Sequence, residues 1–228
     1  MAAAIATFPN PTRVLPWRKI ARVLRNTALG LVVFLIVGNL LITAAWQIVS
    51  RQTDLVTPSV DIKNLSAVDD RVWRSAAPGT SSYDDLAKAG VTTIVDLRAE
   101  ENLHVDVDAL EALGITWIHM PIRDGQIPSS DQVDDFLAAV DNSDGVTLVH
   151  CGAGVGRTGA MVAAYRVASG TSTGFEAMGK NLAVGPPSLE QLAFAATLDS
   201  GVKRPPALLV GASRVLDAPR RLWSRYGL

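Results

Sequence analysis

The stretch His150-Cys151-Gly152-Ala153-Gly154-Val155-Gly156-Arg157-Thr158-Gly159 constrains this chain more than any other. An apolar run at 146–149 precedes it and a largely apolar run at 160–168 follows. That pattern predicts a strand, a tight glycine-rich turn and a buried helix. A loop ending on a helix N-terminus presents backbone N–H groups to an anion. The stretch also holds the one cysteine of the chain, with a guanidinium six residues later. A thiol, a guanidinium and an anion cradle in one turn point to chemistry on phosphate.

The sequence around it alternates strand and helix signals. Strands are expected at 72–75, 91–97, 115–120 and 146–149, where β-branched and apolar residues cluster. Ser82-x-x-Asp85, Ser129-x-x-Gln132, Thr173-x-x-Glu176 and Ser188-x-x-Gln191 each have capping-box character and open helices. Another helix is expected at 107–113, closed by Gly114. Val133, Phe136, Leu137 and Val140 follow helical spacing. The expected fold is α/β, a central sheet of four or five strands flanked by helices. With one cysteine there is no internal disulfide framework, so the fold rests on its core, and no second thiol is available to resolve an oxidised Cys151.

Charge is distributed in blocks. Residues 1–25 carry five bases and no acid, residues 51–199 carry 21 acids and 10 bases, and residues 200–228 carry six bases and one acid, Asp217. The acidic middle block argues against nucleic acid as a partner. Between the first two blocks, residues 26–50 hold no charged side chain. The 22 residues 28–49 are long enough to cross a bilayer as a helix, with Trp46 near one end. The alternatives are a cleaved signal peptide, with Thr43-Ala44-Ala45 as a small-residue site, and a buried core helix. Length favours an anchor over the first, and apolar residues on every face argue against the second. The excess of basic residues before the span places the N-terminus in the cytoplasm and the rest of the chain outside a cell membrane.

The chain thus divides into a basic segment (1–27), a transmembrane anchor (28–49), an extended linker (50–64), a catalytic domain (65–200) and a basic amphipathic tail (201–228). In the tail, Arg214, Arg220, Arg221 and Arg225 alternate with Val215, Leu216, Leu222, Trp223 and Tyr226, with a break expected at Pro219. It reads equally as a segment lying on anionic lipid and as a solvated tail.

The Cys-x5-Arg-Thr motif preceded by His resembles the cysteine-dependent protein-tyrosine and dual-specificity phosphatases. The resemblance covers about residues 65–200. It takes in Arg74-Ser75-Ala76-Ala77-Pro78, Asp96-Leu97-Arg98 and Pro121-Ile122-Arg123-Asp124, which look most like the small dual-specificity type. It implies Cys151 as nucleophile, Arg157 as phosphate ligand and Asp124 as general acid and later base, acting through a cysteinyl-phosphate without a metal or other cofactor. It further implies that Gly152, Ala153, Gly154, Val155 and Gly156 bind phosphate through their backbone and that His150 shapes the loop. The physics of the residues agrees. A thiol is mostly protonated at neutral pH, and a helix N-terminus, loop N–H groups and a guanidinium all favour its anion. Thr158 can donate a hydrogen bond to the sulfur. Gln191 matches a glutamine near the family's hydrolytic water, although the water-positioning glutamine itself aligns with Pro187.

The loop carries no lysine, unlike many relatives acting on phosphoinositides, which favours a substrate with a single phosphate. The leading expectation is a membrane-anchored phosphatase of phosphotyrosyl or other phosphorylated proteins. The alternatives are a phosphatase of a membrane phospholipid or small phosphate ester, and a phosphate-binding pseudophosphatase used as a scaffold.

Overall fold

In the computed structural model, the structure describes residues 17–101 and 103–226, with side chains described up to residue 219. Five strands form one sheet in the order β1-β2-β5-β3-β4. They are β1 (Ser66–Ala67), β2 (Val72–Ala76), β3 (Val91–Arg98), β4 (Thr116–Ile122) and β5 (Val146–Cys151). Only β1 runs antiparallel, against β2; the other neighbours are parallel. A parallel sheet needs crossover helices, and these cover both faces. On one face lie α4 (Ser130–Asp141), α5 (Gly156–Ala168), α6 (Gly174–Val184) and α7 (Leu189–Ala196); on the other lie α2 (Tyr83–Lys88) and α3 (Val107–Ala112).

Side chains alternate across the sheet as strand geometry requires. Val149 and Cys151 join the core with Phe136, Met161 and Phe194, while Leu148 points to the opposite core with Leu86, Leu110 and Ile115. The central strand β5 therefore delivers Cys151 to the face covered by α5, at the carboxyl edge of the sheet. Its neighbours in register there are Ala76 of β2 and, one step back beside His150, Asp96 of β3. Ligand sites of open α/β sheets form outside this edge.

Three of the four expected capping boxes are formed, at Ser129, Thr173 and Ser188. Ser82 makes no side-chain cap: it ends a 3-10 turn, Thr80–Ser82, with φ −97° and ψ −5°, away from the extended conformation of an N-cap. The two-residue strand β1 was not expected, being too short to show a period.

The charge-free segment lies within one helix, α1 (Trp17–Ser50), of 34 residues and about 51 Å. It is long and apolar enough to cross a membrane. Residues 17–34 are exposed all round. Beyond them one side of α1 lies against α6 and against α8 (Ala207–Tyr226). Gly38 makes this approach possible, since a Cβ there would come within 2.7 Å of Leu216. Asn39 donates to the carbonyls of Leu35 and, at 3.3 Å, Leu216. Trp46 is half-buried on the packed side, and its indole N–H lacks a partner among the described residues. The tail is one helix rather than two: Pro219 lies inside α8, where it cannot supply the N–H that would bond to the carbonyl of Val215. Arg13 in the first basic block, and the side chains of Arg220, Arg221, Leu222, Trp223, Arg225 and Tyr226 in the tail, lie outside the described residues.

Candidate active site

Cys151 ends β5, 3 % exposed, and the chain turns through residues 152–155 into α5. The carbonyls of this turn are tied outward. Gly152 O accepts from the N–H of Ala77 at 3.1 Å, Ala153 O from Asn64 Nδ2 at 2.8 Å, and Gly154 O from Arg74 Nη2 at 2.7 Å. In a trans peptide the N–H points opposite to the C=O. Fixing three successive carbonyls outside therefore aims the N–H groups of Ala153, Gly154 and Val155 inward, toward the space in front of the sulfur. Gly154 makes the turn possible, with φ +71°; a Cβ there would collide with the backbone of Ser75. The N-terminus of the 13-residue α5 adds its partial positive charge to the same space.

Arg157, in the first turn of α5, is 4 % exposed. Its Nη1 and Nη2 donate to both oxygens of Glu100, at 2.9 and 2.8 Å, and Nη1 also donates to Ile122 O at 3.1 Å. Burial alone would lower its pKa, but the hydrogen bonds of Glu100 and the charges of Cys151, Glu100 and Asp124 outweigh that and raise it. Its Nε–H has no partner among the described residues. The guanidinium is thus gripped through three of its five N–H groups, which leaves the buried Nε–H and one Nη2–H for an anion held in the loop.

Asp124, on the turn after β4, stands with Oδ1 3.6 Å from Arg157 Nη2 and a side chain 55 % exposed. Two bonds from the N-terminus of α7 hold this turn over the loop. Ser188 Oγ donates to Gly125 O at 3.1 Å, and Gln191 Nε2 donates to Gln126 O at 2.9 Å. Gln191 Oε1 accepts from the N–H of Ser188 and packs on Gly156, where a Cβ would come within 2.6 Å of it. Each end of its amide therefore makes one bond that ties the two loops together. The cleft between Asp124, Ala153, Gly156, Pro187 and Asp217 measures about 210 Å³.

His150 is buried next to Cys151, its Nδ1 3.3 Å from the carbonyl of Cys151 and 3.8 Å from Asp96 Oδ1. A carbonyl only accepts, so Nδ1 carries the proton. Burial pushes the His150 pKa down to about 4, against the pull of Asp96, so the ring is neutral at pH 7. Asp96 is claimed instead by Arg98, through Nε at 3.0 and 3.1 Å and Nη2 at 2.7 Å. Thr158 is fully buried, and its hydroxyl has no hydrogen-bond partner among the described residues, so the expected bond to the sulfur is not made here. Among the described residues no group of three or more His, Cys, Asp or Glu is placed to hold a metal ion.

Every residue expected at the site is therefore brought to it: Cys151, Arg157, Asp124, the loop 152–156, His150, Thr158 and Gln191. Four were not foreseen in their present roles. Glu100 grips Arg157, Asn64 and Arg74 draw the loop carbonyls outward, and Ser188 holds the Asp124 turn. Asn64 left one local trace, a left-handed backbone (φ 57°), which asparagine tolerates.

A parallel sheet whose central strand ends in a cysteine, followed by an anion-cradling turn and an arginine on the next helix, is the arrangement of the protein-tyrosine and dual-specificity phosphatase family. The sequence model of the family described as "DSP-PTPase phosphatase fused to NAD+ Kinase" matches residues 39–197, well over half of the chain, and the protein belongs to that family. Among curated proteins, tyrosine-protein phosphatase cdc-14 of Caenorhabditis elegans is 33 % identical over 97 residues, which is 42 % of this chain and 13 % of the relative. Protein tyrosine phosphatase type IVA 3 of Bos taurus is 34 % identical over 96 residues, 40 % of this chain and 54 % of the relative. The chain thus spans about half of one of these relatives and much less of the other. Two solved structures share the fold. P. aeruginosa TpbA superposes with a TM-score of 0.52 at 20 % identity, covering 73 % of this chain and 98 % of that one. PTPMT1 in complex with PI(5)P superposes with 0.53 at 17 % identity, covering 60 % and 96 %.

Proposed function

We propose that this protein is a membrane-held phosphomonoester hydrolase that acts on phosphotyrosyl or other phosphorylated proteins through a cysteinyl-phosphate. One observation carries the reading: three outward-tied carbonyls turn the loop N–H groups onto the space between Cys151 and Arg157, with Asp124 beside it. The Cys151 thiolate attacks phosphorus, and the bond from phosphorus to the leaving oxygen breaks in line. Asp124 delivers its proton to that oxygen. The loop N–H groups and Arg157 hold the three equatorial oxygens as charge spreads over them. Water then attacks phosphorus of the cysteinyl-phosphate, Asp124 takes its proton, and the P–S bond breaks, which returns Cys151 as the thiolate and releases phosphate. The hydroxyl of Thr158, without a partner among the described residues, can donate to the departing sulfur anion.

α1 supports a tether at a membrane, and the five bases before it support a cytoplasmic N-terminus with the catalytic domain outside. The lysine-free loop favours one phosphate per substrate. A second reading is hydrolysis of a membrane phospholipid or a small phosphate ester; its motive is α1, which would keep the site near a bilayer. A pseudophosphatase scaffold fits poorly with an intact Cys151, Arg157 and Asp124. Rates on a phosphotyrosyl peptide and on phosphatidylglycerophosphate vesicles, with Cys151→Ser as control, separate the three. The protein reading expects higher kcat/KM on the peptide, and preference for the vesicles would replace it with the lipid reading. Turnover of neither, with phosphopeptide still bound, would leave the scaffold. A reporter fused after residue 228 that is active only in the cytoplasm would overturn the orientation.

A further inference from the structure

Next to the catalytic loop, whose Gly154 carbonyl Arg74 holds, a second cavity of about 220 Å³ lies between α5, α6 and residues 53–56, the chain that follows α1 directly. Three cations line it: Arg74 from β2, Arg166 from α5 and Lys180 from α6. Asp54 lines it too, which leaves a net positive charge. None of the three cations is within salt-bridge distance of a carboxylate among the described residues. Their hydrogen bonds go to neutral acceptors: Arg74 to Asn181 Oδ1 and the carbonyls of Gly154 and Val155, Arg166 to Val68 O, and Lys180 to Ser172 Oγ. Asp69 is near enough to Arg166, and Glu176 near enough to Lys180, for their charges to interact without forming an ion pair.

Arg74 is the unusual member. It is 4 % exposed, and its Nε–H has no partner among the described residues. Burial pushes its pKa down to about 10, with the neighbouring charge of Arg166 adding to the effect and that of Cys151 opposing it. It remains a cation at neutral pH. A buried cation without an ion-pair partner is costly even with the charge of Cys151 nearby, and removing an unmet donor from water adds to the cost. Nothing in the proposed reaction uses Arg166 or Lys180. The cavity is smaller than the roughly 300 Å³ at which drug-sized sites begin, so it suits a small anion. It reaches the surface past Asp54 and Leu55, both exposed.

We infer that this cavity is a second phosphate-binding site, separate from the catalytic loop, in which Arg74, Arg166 and Lys180 take one phosphate group. The phosphate belongs either to a lipid headgroup beside α1 or to a small soluble compound, and the chemistry of recognition is the same. Phosphate is favoured over a carboxylate because three cations from three elements surround one space, matching an anion with oxygens on several sides. The site is independent of whether Cys151 turns over any substrate.

The test is calorimetric titration of the full chain, in phosphatidylcholine nanodiscs, with inorganic phosphate. Two phosphates per chain are expected in the wild type, one competing with turnover of p-nitrophenyl phosphate and one not. In Arg166→Gln/Lys180→Gln the second is lost, while the inhibition constant of phosphate against turnover stays within about twofold. Lys180→Gln alone, on a half-buried side chain, weakens the second site about tenfold, with an unchanged melting temperature as the check on folding. A stoichiometry of one in the wild type, or a second site unaffected by either variant, would overturn the inference. Repeating the titration in phosphatidic acid nanodiscs assigns the source. One remaining phosphate means that the headgroup fills the cavity, and two mean that the site takes the soluble anion.

Discussion

Glu100→Gln tests how Arg157 is held. The carboxylate takes both ends of the guanidinium, at 2.9 and 2.8 Å, while its own side chain is 51 % exposed. A shielded hydrogen bond to a charged group contributes about 1.5–3 kcal/mol, whereas an exposed ion pair contributes about 0.2–1 kcal/mol. Half exposure discounts the pair to about 1 kcal/mol, which corresponds to about a fivefold loss in kcat/KM if it is felt in the transition state. Glutamine keeps the shape and one acceptor, so the loss reports charge and orientation rather than a hole. The pH dependence has a definite sign. Burial alone would raise the Glu100 carboxyl, but the hydrogen bonds and charge of Arg157 outweigh it and hold it below its ordinary value. Its contribution is therefore full above about pH 4.5 and is lost as pH falls through the lowered value. The ratio of wild-type to variant kcat/KM on p-nitrophenyl phosphate should be constant from pH 5 to 7 and shrink toward unity in stronger acid. An unchanged kcat/KM at pH 6, or a ratio that grows on acidification, would refute the reasoning.

Asp124→Asn should lower kcat by about 10²–10⁴-fold, more for an alkyl phosphate than for p-nitrophenyl phosphate, whose leaving group needs no proton; equal losses on both would argue against a general acid. Gly154→Ala should abolish activity and lower the melting temperature. The left-handed backbone alone costs about 1–2 kcal/mol, and the new Cβ also meets the Ser75 backbone. His150 is held neutral, so between pH 6.5 and about 4 the unfolded chain takes up a proton that the native chain refuses. Stability should fall across that window by up to about 3 kcal/mol. Urea melts at pH 7 and 5 check this, and His150→Gln should flatten the difference.

The central machinery was legible because its residues are adjacent in sequence. Cys151 to Thr158 form one turn, and Asp124 follows a strand and precedes a capped helix, so each could be placed from local pattern. The parallel strands were legible from β-branched runs, and the helix starts from capping boxes that are local by construction. What stayed hidden joins distant parts of the chain. Glu100 lies 57 residues from Arg157 and Asn64 lies 89 residues from Ala153, and no periodicity reports such pairs. The bonds of the Gln191 amide to Ser188 and Gln126 were not legible either, because its sequence position reveals neither partner. Pro219 suggested a break in the tail, yet α8 continues through it, packed on α7 and α1. The hydropathy of residues 28–49 gave the helix but not its one-sided packing, since Gly38 and Asn39 acquire partners only when residue 216 arrives.

The most direct measurement is a rapid acid quench of the enzyme with a phosphotyrosyl peptide, followed by mass spectrometry of the Cys151 peptide. The account predicts one phosphoryl group on Cys151 during turnover and none, with no turnover, in Cys151→Ser. Retained turnover in Cys151→Ser, or turnover in the wild type with the phosphoryl group never on that peptide, would contradict it.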